Sequence, residues 1–499
     1  MKTRLFFQLL LTGLALAGLI NCGEGELFDL TSSSESSVDN SASETVFTLA
    51  NQDSLDLPAG NYVFIPFSTA RQAANQGYLL ESTTAIAPFS RQSATSANLS
   101  RAKQKIAPGL EQYHHHMAAE MRLRQAFTPS AAPFGPAQSL PTPPMFSVAS
   151  STFSMATFTG NSSDTITANL AKEGEYADIY VDSLDSVDET ALSQIQTTLE
   201  AHIIPRNQAF FGDESSFGCP GKLLVVITSF IYEENNLQLL GAFDRNQLTN
   251  AQQKTIFVVP PDLPNDPNLL NAVIGHEYQH LINFCAKRQQ GVSGGEDTWL
   301  DEGLSHLAED LQGYGTANLD FVRNYFPNIP TTPLLGPDNT ERRGGNYLYL
   351  RYLFERLGGV NLNSSRDITD EGGAKLLRCL VQSGQTGVAN LLGCQNGQLE
   401  AKFADWVATL YIDPQMPGSG RYHYQAPQAD PETGISTGLD LAALNLTPTL
   451  SASLSGESYA GSVASMGQAY YQATLSSPAT ISLSGDPYSN LGLTIVHAD

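Results

Sequence analysis

The chain has 499 residues, enough for two to four domains, with 26 Lys and Arg against 50 Asp and Glu and a formal charge of −24. That acidity disfavours nucleic acid and adsorption on anionic lipid, since both repel a negative surface. No stretch after residue 22 approaches the ~20 apolar residues that a membrane span needs, so the body is expected to be soluble.

Residues 1–21 read as an export signal: Lys2 and Arg4 precede an apolar run from Leu5 to Ile20 that is too short for a spanning helix. Its end, L-I-N-C, resembles a bacterial lipobox and implies cleavage before Cys22 and lipid attachment to that cysteine, although Asn21 stands where a small residue is usual. An ordinary secretory signal is the alternative. Residues 22–43, with T-S-S-S-E-S-S-V-D-N-S-A-S, hold too little apolar surface to fold and are expected to form a flexible tether.

Residues 44–100 change to short β-rich runs, V-F-T-L and N-Y-V-F-I-P-F, separated by L-P-A-G turn chemistry, and predict a small β domain. Residues 101–150 combine a helical pattern with a linker containing Pro129, Pro133, Pro136, Pro141, Pro143 and Pro144, an extended stretch open to proteolytic processing. Within the helical part, the run Y-H-H-H-M is expected on the surface, because consecutive helical residues point about 100° apart and cannot share one ion.

From Tyr176 the pattern is α/β: a strand A-D-I-Y-V-D, a helix with Leu192, Ile195, Leu199 and Ile203 at helical spacing, then strands L-L-V-V-I-T and T-I-F-V-V-P. The chemistry lies in N-A-V-I-G-H-E-Y-Q-H-L-I-N-F-C and the following D-T-W-L-D-E-G-L-S-H-L-A-E-D. His276 and His280 are four apart, so on a helix both imidazoles leave one face and can bind one cation. Glu277 is placed beside such a metal, free to act as general base toward water.

A catalytic zinc takes three protein ligands, and the second segment offers two candidates. Glu302 is preferred, with Asp301 or His306 orienting an imidazole; His306, on the same face as Glu302 and Glu309, is the other. Apolar residues flank both segments, so both helices are expected to be buried, and Gly303 suggests that the two backbones approach closely there.

These residues carry a resemblance. H-E-Y-Q-H-L-I-N-F followed by W-L-D-E-G-L-S-H-L-A-E-D-L resembles the gluzincin zinc metallopeptidases, and within them the hyicolysin-like bacterial family, over roughly Glu175 to Pro427. The resemblance implies zinc on His276, His280 and Glu302, with Glu277 as catalytic base and a protein or peptide substrate. Asp301 departs from the Asn usual before the ligand Glu. The resemblance also implies an antiparallel edge strand beside the zinc, which puts Gly241, Ala242 and Phe243 against the substrate backbone. It further implies a Tyr or His stabilising the oxyanion, for which Tyr347 is the candidate and Tyr349 the reserve, on the helix G-G-N-Y-L-Y-L-R-Y-L-F-E-R-L-G-G.

Residues 440–499 alternate apolar and polar, as in A-T-I-S-L-S, and predict a β-sandwich-like region. Cys22 aside, Cys219, Cys285, Cys379 and Cys394 are even in number in an exported chain. The preferred pairing is Cys379 with Cys394 and Cys219 with Cys285, against four buried thiols. The expected whole is an α+β chain: a gluzincin-like catalytic domain over residues 165–430, of mixed sheet and active-site helices, flanked by small β domains. Its expected function is zinc-dependent endopeptidase activity at the bacterial envelope or in secretion. The alternative is a surface lipoprotein that binds host or envelope components through its β modules.

Overall fold

Alternating apolar residues build the first strands, β1 (Val46–Ala50), β2 (Ser54–Leu57), β3 (Gly60–Ser68) and β4 (Asn75–Ala87). The structure, a computed structural model, describes residues 46–88 apart from 73, residues 113, 116 and 117, and residues 150–498 apart from 157–162, 234–238, 246, 252, 264–266, 293 and 416–417. The signal, Cys22, the tether and the Pro-rich stretch lie outside the described residues. Among those described, no helix is long and apolar enough to cross a membrane.

A second sheet follows. It contains β5 (Ser150–Ala156), β6 (Ser163–Glu173), β7 (Ala177–Asp182), β8 (Leu223–Ile227), β9 (Gly241–Phe243) and β10 (Lys254–Val258), in the order β5-β6-β7-β8-β10-β9. The central strands β7, β8 and β10 pair in parallel and are buried on both faces, as strands with helices on both sides are. β9 runs antiparallel at the edge, with Gly241 opposite Val258.

Helices cover this sheet. α1 (Glu189–Thr198) starts at Asp188, whose carboxylate accepts from the amides of Thr190 and Ala191, satisfying two donors that a helix start leaves open. A π turn at Leu199–Ile203 leads into α2 (Ile204–Phe211). The body then holds α3 (Pro267–Gln289), α4 (Thr298–Leu311), α5 (Asn318–Tyr325), α6 (Thr340–Arg356), α7 (Gly373–Gln382), α8 (Gly387–Cys394) and α9 (Leu399–Ile412).

α3 is buried from Ala272 to Lys287, so it runs through the core. Its C-terminal end is pinned. Lys287 Nζ donates to the carbonyls of Leu380, Ser383 and Gln385 at 2.8, 3.0 and 2.7 Å and pairs with Glu296 at 2.8 Å. Cys285 is bonded to Cys219, and Cys379 to Cys394. At Gly303 a Cβ would come 2.7 Å from Leu350 Cδ1 and 3.2 Å from Asn346 Cβ. The tight approach at this glycine is therefore to α6, where an approach to α3 was expected from its place beside Glu302.

The last strands, β11 (Gly456–Ala464), β12 (Tyr471–Leu475), β13 (Ala479–Gly485) and β14 (Leu491–His497), return to the first sheet. Its main path runs β1-β14-β3-β12-β4-β13-β2, with β11 paired to β4. The described strands of residues 46–87 and 456–497 therefore interleave in one sheet, where two flanking β domains were expected. The period of two along β3 explains how it docks: Tyr62 and Phe64 join the sheet's own core, while Val63, Ile65 and Phe67 join the core shared with the helices. Phe67 meets Phe403 of α9 with ring centres 5.7 Å apart, and Tyr470 Oη donates to the Val407 carbonyl at 2.9 Å.

Candidate metal centre

α3 presents His276 and His280 on one face, and α4 crosses so that Glu302 faces both. His276 Nε2 is 3.6 Å from Glu302 Oε2 and His280 Nε2 is 3.7 Å from Glu302 Oε1. One ligand atom from each residue lies within 4.8 Å of the others, and all three residues are buried. Donor atoms about 2.0–2.1 Å from a tetrahedral ion stand roughly 3.4 Å apart, so the group fits zinc in size as well as in donor type.

The other ring nitrogens are engaged on the outside. His276 Nδ1 meets Glu309 Oε1 at 2.6 Å, and His280 Nδ1 meets Ser305 Oγ at 2.9 Å and Asp301 Oδ2 at 3.3 Å. Carboxylates there fix the tautomer with hydrogen on Nδ1, which turns the Nε2 lone pairs toward Glu302. Asp301 is itself held by Asn283 Nδ2 at 2.7 Å and Arg245 Nη2 at 3.5 Å, donors that balance the extra negative charge of an Asp at this position.

His306 belongs to a different grouping. Together with His276 and Glu309 it forms a second set within 4.8 Å, but there Glu309 takes His276 Nδ1 at hydrogen-bond distance. The His306 ring packs on His276 at 4.9 Å, and its Nδ1 is 3.1 Å from Glu309 Oε1. Burial lowers the His306 pKa and so favours the neutral ring. Burial also pushes Glu309 up, but the charge and hydrogen bonds of His306 and His276 outweigh it and hold the carboxyl at about 2. The sequence offers one signal for Glu309, its place one turn beyond His306 on the Glu302 face.

Glu277 turns toward the edge strand. Its Oε2 accepts from the Phe243 amide at 2.8 Å. A Cβ on Gly241 would lie 2.4 Å from Val273 Cγ1 and 3.4 Å from Glu277 Cγ, so only a glycine lets β9 lie this close to α3. Gly241, Ala242 and Phe243 are thus brought beside Glu277.

Tyr347 does not join the group. It is buried, and its hydroxyl engages Asp310 in a network with Arg351 and Glu355. Asp310 lies eight positions along α4 from Glu302, about 12 Å of helix rise. Tyr349 packs against Phe403 and Trp406 in the core. Neither stands where an oxyanion donor was expected, because the face of α6 that meets the group carries Arg343 instead.

Arg343 is fully buried, with Nη1 2.8 Å from Glu302 Oε2, while Nε and Nη2 fork onto Asp338 at 3.1 and 2.7 Å. The surface expected for Y-H-H-H-M is also corrected. Tyr113, His116 and Met117 are all fully buried: Tyr113 Oη donates to Glu309 Oε1 at 2.5 Å, and Met117 Sδ lies 2.8 Å from Arg343 Nη1. No family model matches this sequence, and no curated protein matches it.

Proposed function

We propose that the chain is an exported, lipid-anchored, zinc-dependent endopeptidase of gluzincin type. The observation that carries this reading is the buried convergence of His276, His280 and Glu302, with Glu277 on the same helix against an edge strand. When bound, zinc would polarise the scissile carbonyl and acidify the attacking water.

The chain's own residues do the rest. Glu309, Ser305 and Asp301 hold the two imidazoles oriented, and Glu302 would supply negative charge to a bound ion. The Glu277 carboxylate takes the proton from water and returns it to the leaving amine. The Phe243 N–H on its Oε2 fixes that carboxylate beside β9, whose outer edge can pair with an extended peptide. The envelope location rests on the Lys2–Cys22 signal alone.

The test is zinc content and casein hydrolysis by wild type, Glu277→Gln and Glu302→Ala, with and without chelator. Wild type and Glu277→Gln should each hold about one zinc per chain, Glu302→Ala should lose it, and only the wild type should cleave. A zinc-free wild type, or full activity in Glu277→Gln, overturns the reading.

A further inference from the structure

The strip of chain beside Glu277 is covered at one end and open at the other. Gly241 and Ala242 are buried, Phe243 is half-buried, and two residues further on Arg245 has 40% of its side chain exposed. Three contacts fix where that side chain goes. Its guanidinium carbon lies 5.3 Å from the centre of the Phe284 ring, Nη2 is 3.5 Å from Asp301 Oδ2, and Nη1 donates to the Gly294 carbonyl at 3.3 Å. Phe284 in turn meets Phe243 edge-on, with ring centres 5.9 Å apart, and Asp301 Oδ2 is 3.3 Å from His280 Nδ1. The guanidinium therefore stands one carboxylate away from a candidate ligand ring and one aromatic ring away from the edge strand.

What this group does to a passing peptide follows from its anchoring and its charge. The face of Phe284 supports the planar guanidinium and leaves its N–H edges for hydrogen bonding. The loop after α3 packs behind it: a Cβ on Gly295 would lie 3.5 Å from Nη1 and 3.6 Å from Phe284 Cδ2. Its contacts with Asp301 and Gly294 are long, since a guanidinium that pairs squarely with a carboxylate does so at about 2.7–2.9 Å. Asp301 is held more closely by Asn283, at 2.7 Å. Arg343, by contrast, is fully buried and forks between Glu302 and Asp338. On a chain with a formal charge of −24, which repels acidic segments in general, an oriented and solvent-facing cation beside the reacting groups sorts peptides by charge.

We infer that Arg245 is a specificity residue of this site, and that the peptides it selects carry Asp or Glu close to the cleaved bond. The inference rests on the peptidase reading of the centre. The Phe243 amide is bonded to Glu277, and the two residues from Phe243 to Arg245 span at most about 7 Å. In a peptide paired along β9, the guanidinium is thus in reach of side chains within about two residues of the bond beside Glu277. A carboxylate there meets the fork, and a Lys or Arg there meets like charge. For a charge pair that is half in solvent, Glu should be preferred over Gln at that position by roughly three- to thirtyfold.

The test uses zinc-loaded full chains of wild type, Arg245→Gln and Arg245→Glu, with matched short peptides that differ only in carrying Glu, Gln or Lys at one position. Relative kcat/KM is measured for each peptide, with the cleaved bond located by mass spectrometry and zinc content checked for each chain. Calorimetric binding of the same peptides to Glu277→Gln, with and without the Arg245 changes, gives a readout that does not need hydrolysis. The expected order in wild type is Glu over Gln over Lys; Arg245→Gln should level it and Arg245→Glu reverse it, with zinc content unchanged. A charge order in binding that Arg245→Glu reverses, with no hydrolysis by any chain, supports the charge recognition and counts against the peptidase reading. Equal treatment of the three peptides by wild type, or a fall of the same size for all three in both variants, overturns the inference and leaves Arg245 as a brace for Asp301.

Discussion

Nη1 of Arg343 lies 2.8 Å from Oε2 of Glu302, with both side chains fully buried. The guanidinium is the cation that Glu302 and Asp338 share, and under the proposed function a bound ion would take over part of that task. Arg343→Gln leaves the buried Glu302 and the half-buried Asp338 short of positive charge, and is expected to destabilise the zinc-free protein by roughly 3–5 kcal/mol. Zinc should then raise the melting temperature more in the variant than in wild type. Equal zinc-induced shifts in the two proteins would sink the idea.

Glu309 holds His276 from behind through a 2.6 Å contact. Glu309→Gln keeps the shape but removes the charge that fixes the ring and strengthens it as a ligand. Zinc affinity should fall about 10–100-fold, measured by competition with a chelator of known affinity. An unchanged affinity would show that packing alone orients His276.

His202 gives a pH dependence with a definite sign. Its Nε2 meets the Gln312 carbonyl at 2.8 Å and its Nδ1 meets Ser365 Oγ at 2.6 Å, a pattern that a neutral ring with hydrogen on Nε2 satisfies on both sides. Burial lowers its pKa below the ordinary value of 6.5. Between those two values the unfolded chain holds the extra proton, so this contribution is complete above about pH 6.5 and is lost as pH falls toward the lowered folded value. His202→Gln should remove up to about 1.4 kcal/mol per pH unit from the slope below pH 6.5. Denaturant titrations at pH 7.5, 6.5 and 5.5 check this; identical slopes for wild type and variant would refute it.

The interleaved sheet predicts that its two halves fold only together. β3 is flanked by β14 and β12, and β4 by β12 and β13. Ending the chain before Tyr471 strips β12 and β14 from β3 and leaves it only the short pairing of Phe67 and Ser68 with Gln468 and Gly467. Hydrogen exchange across Gly60–Ser68 should then change from protected to fast. Persisting protection of Val63 to Ile65 in the truncated chain would mean that β3 has an independent partner.

The sequence by itself determined what spacing along one helix can determine. His276 and His280 share a face because they are four residues apart, and Glu277 follows the first of them whatever surrounds it. The run W-L-D-E-G-L-S offered a carboxylate within reach, but left Glu302 and His306 on one face with no local rule to separate them. Only the tertiary structure decided, by crossing α4 over α3 so that Glu302 meets both Nε2 atoms while His306 turns to Glu309.

Three further features were decided by tertiary contacts. Arg343 reaches Glu302 from a helix 41 positions later in the chain, Met117 reaches Arg343 across 226, and β1 and β14 pair from opposite ends. Such contacts leave no period in the sequence, because the side chains involved have a burial set by remote partners instead of by their own neighbours. A polar run such as Y-H-H-H-M therefore reads as solvated until the carboxylate, amide and guanidinium that satisfy it are in place.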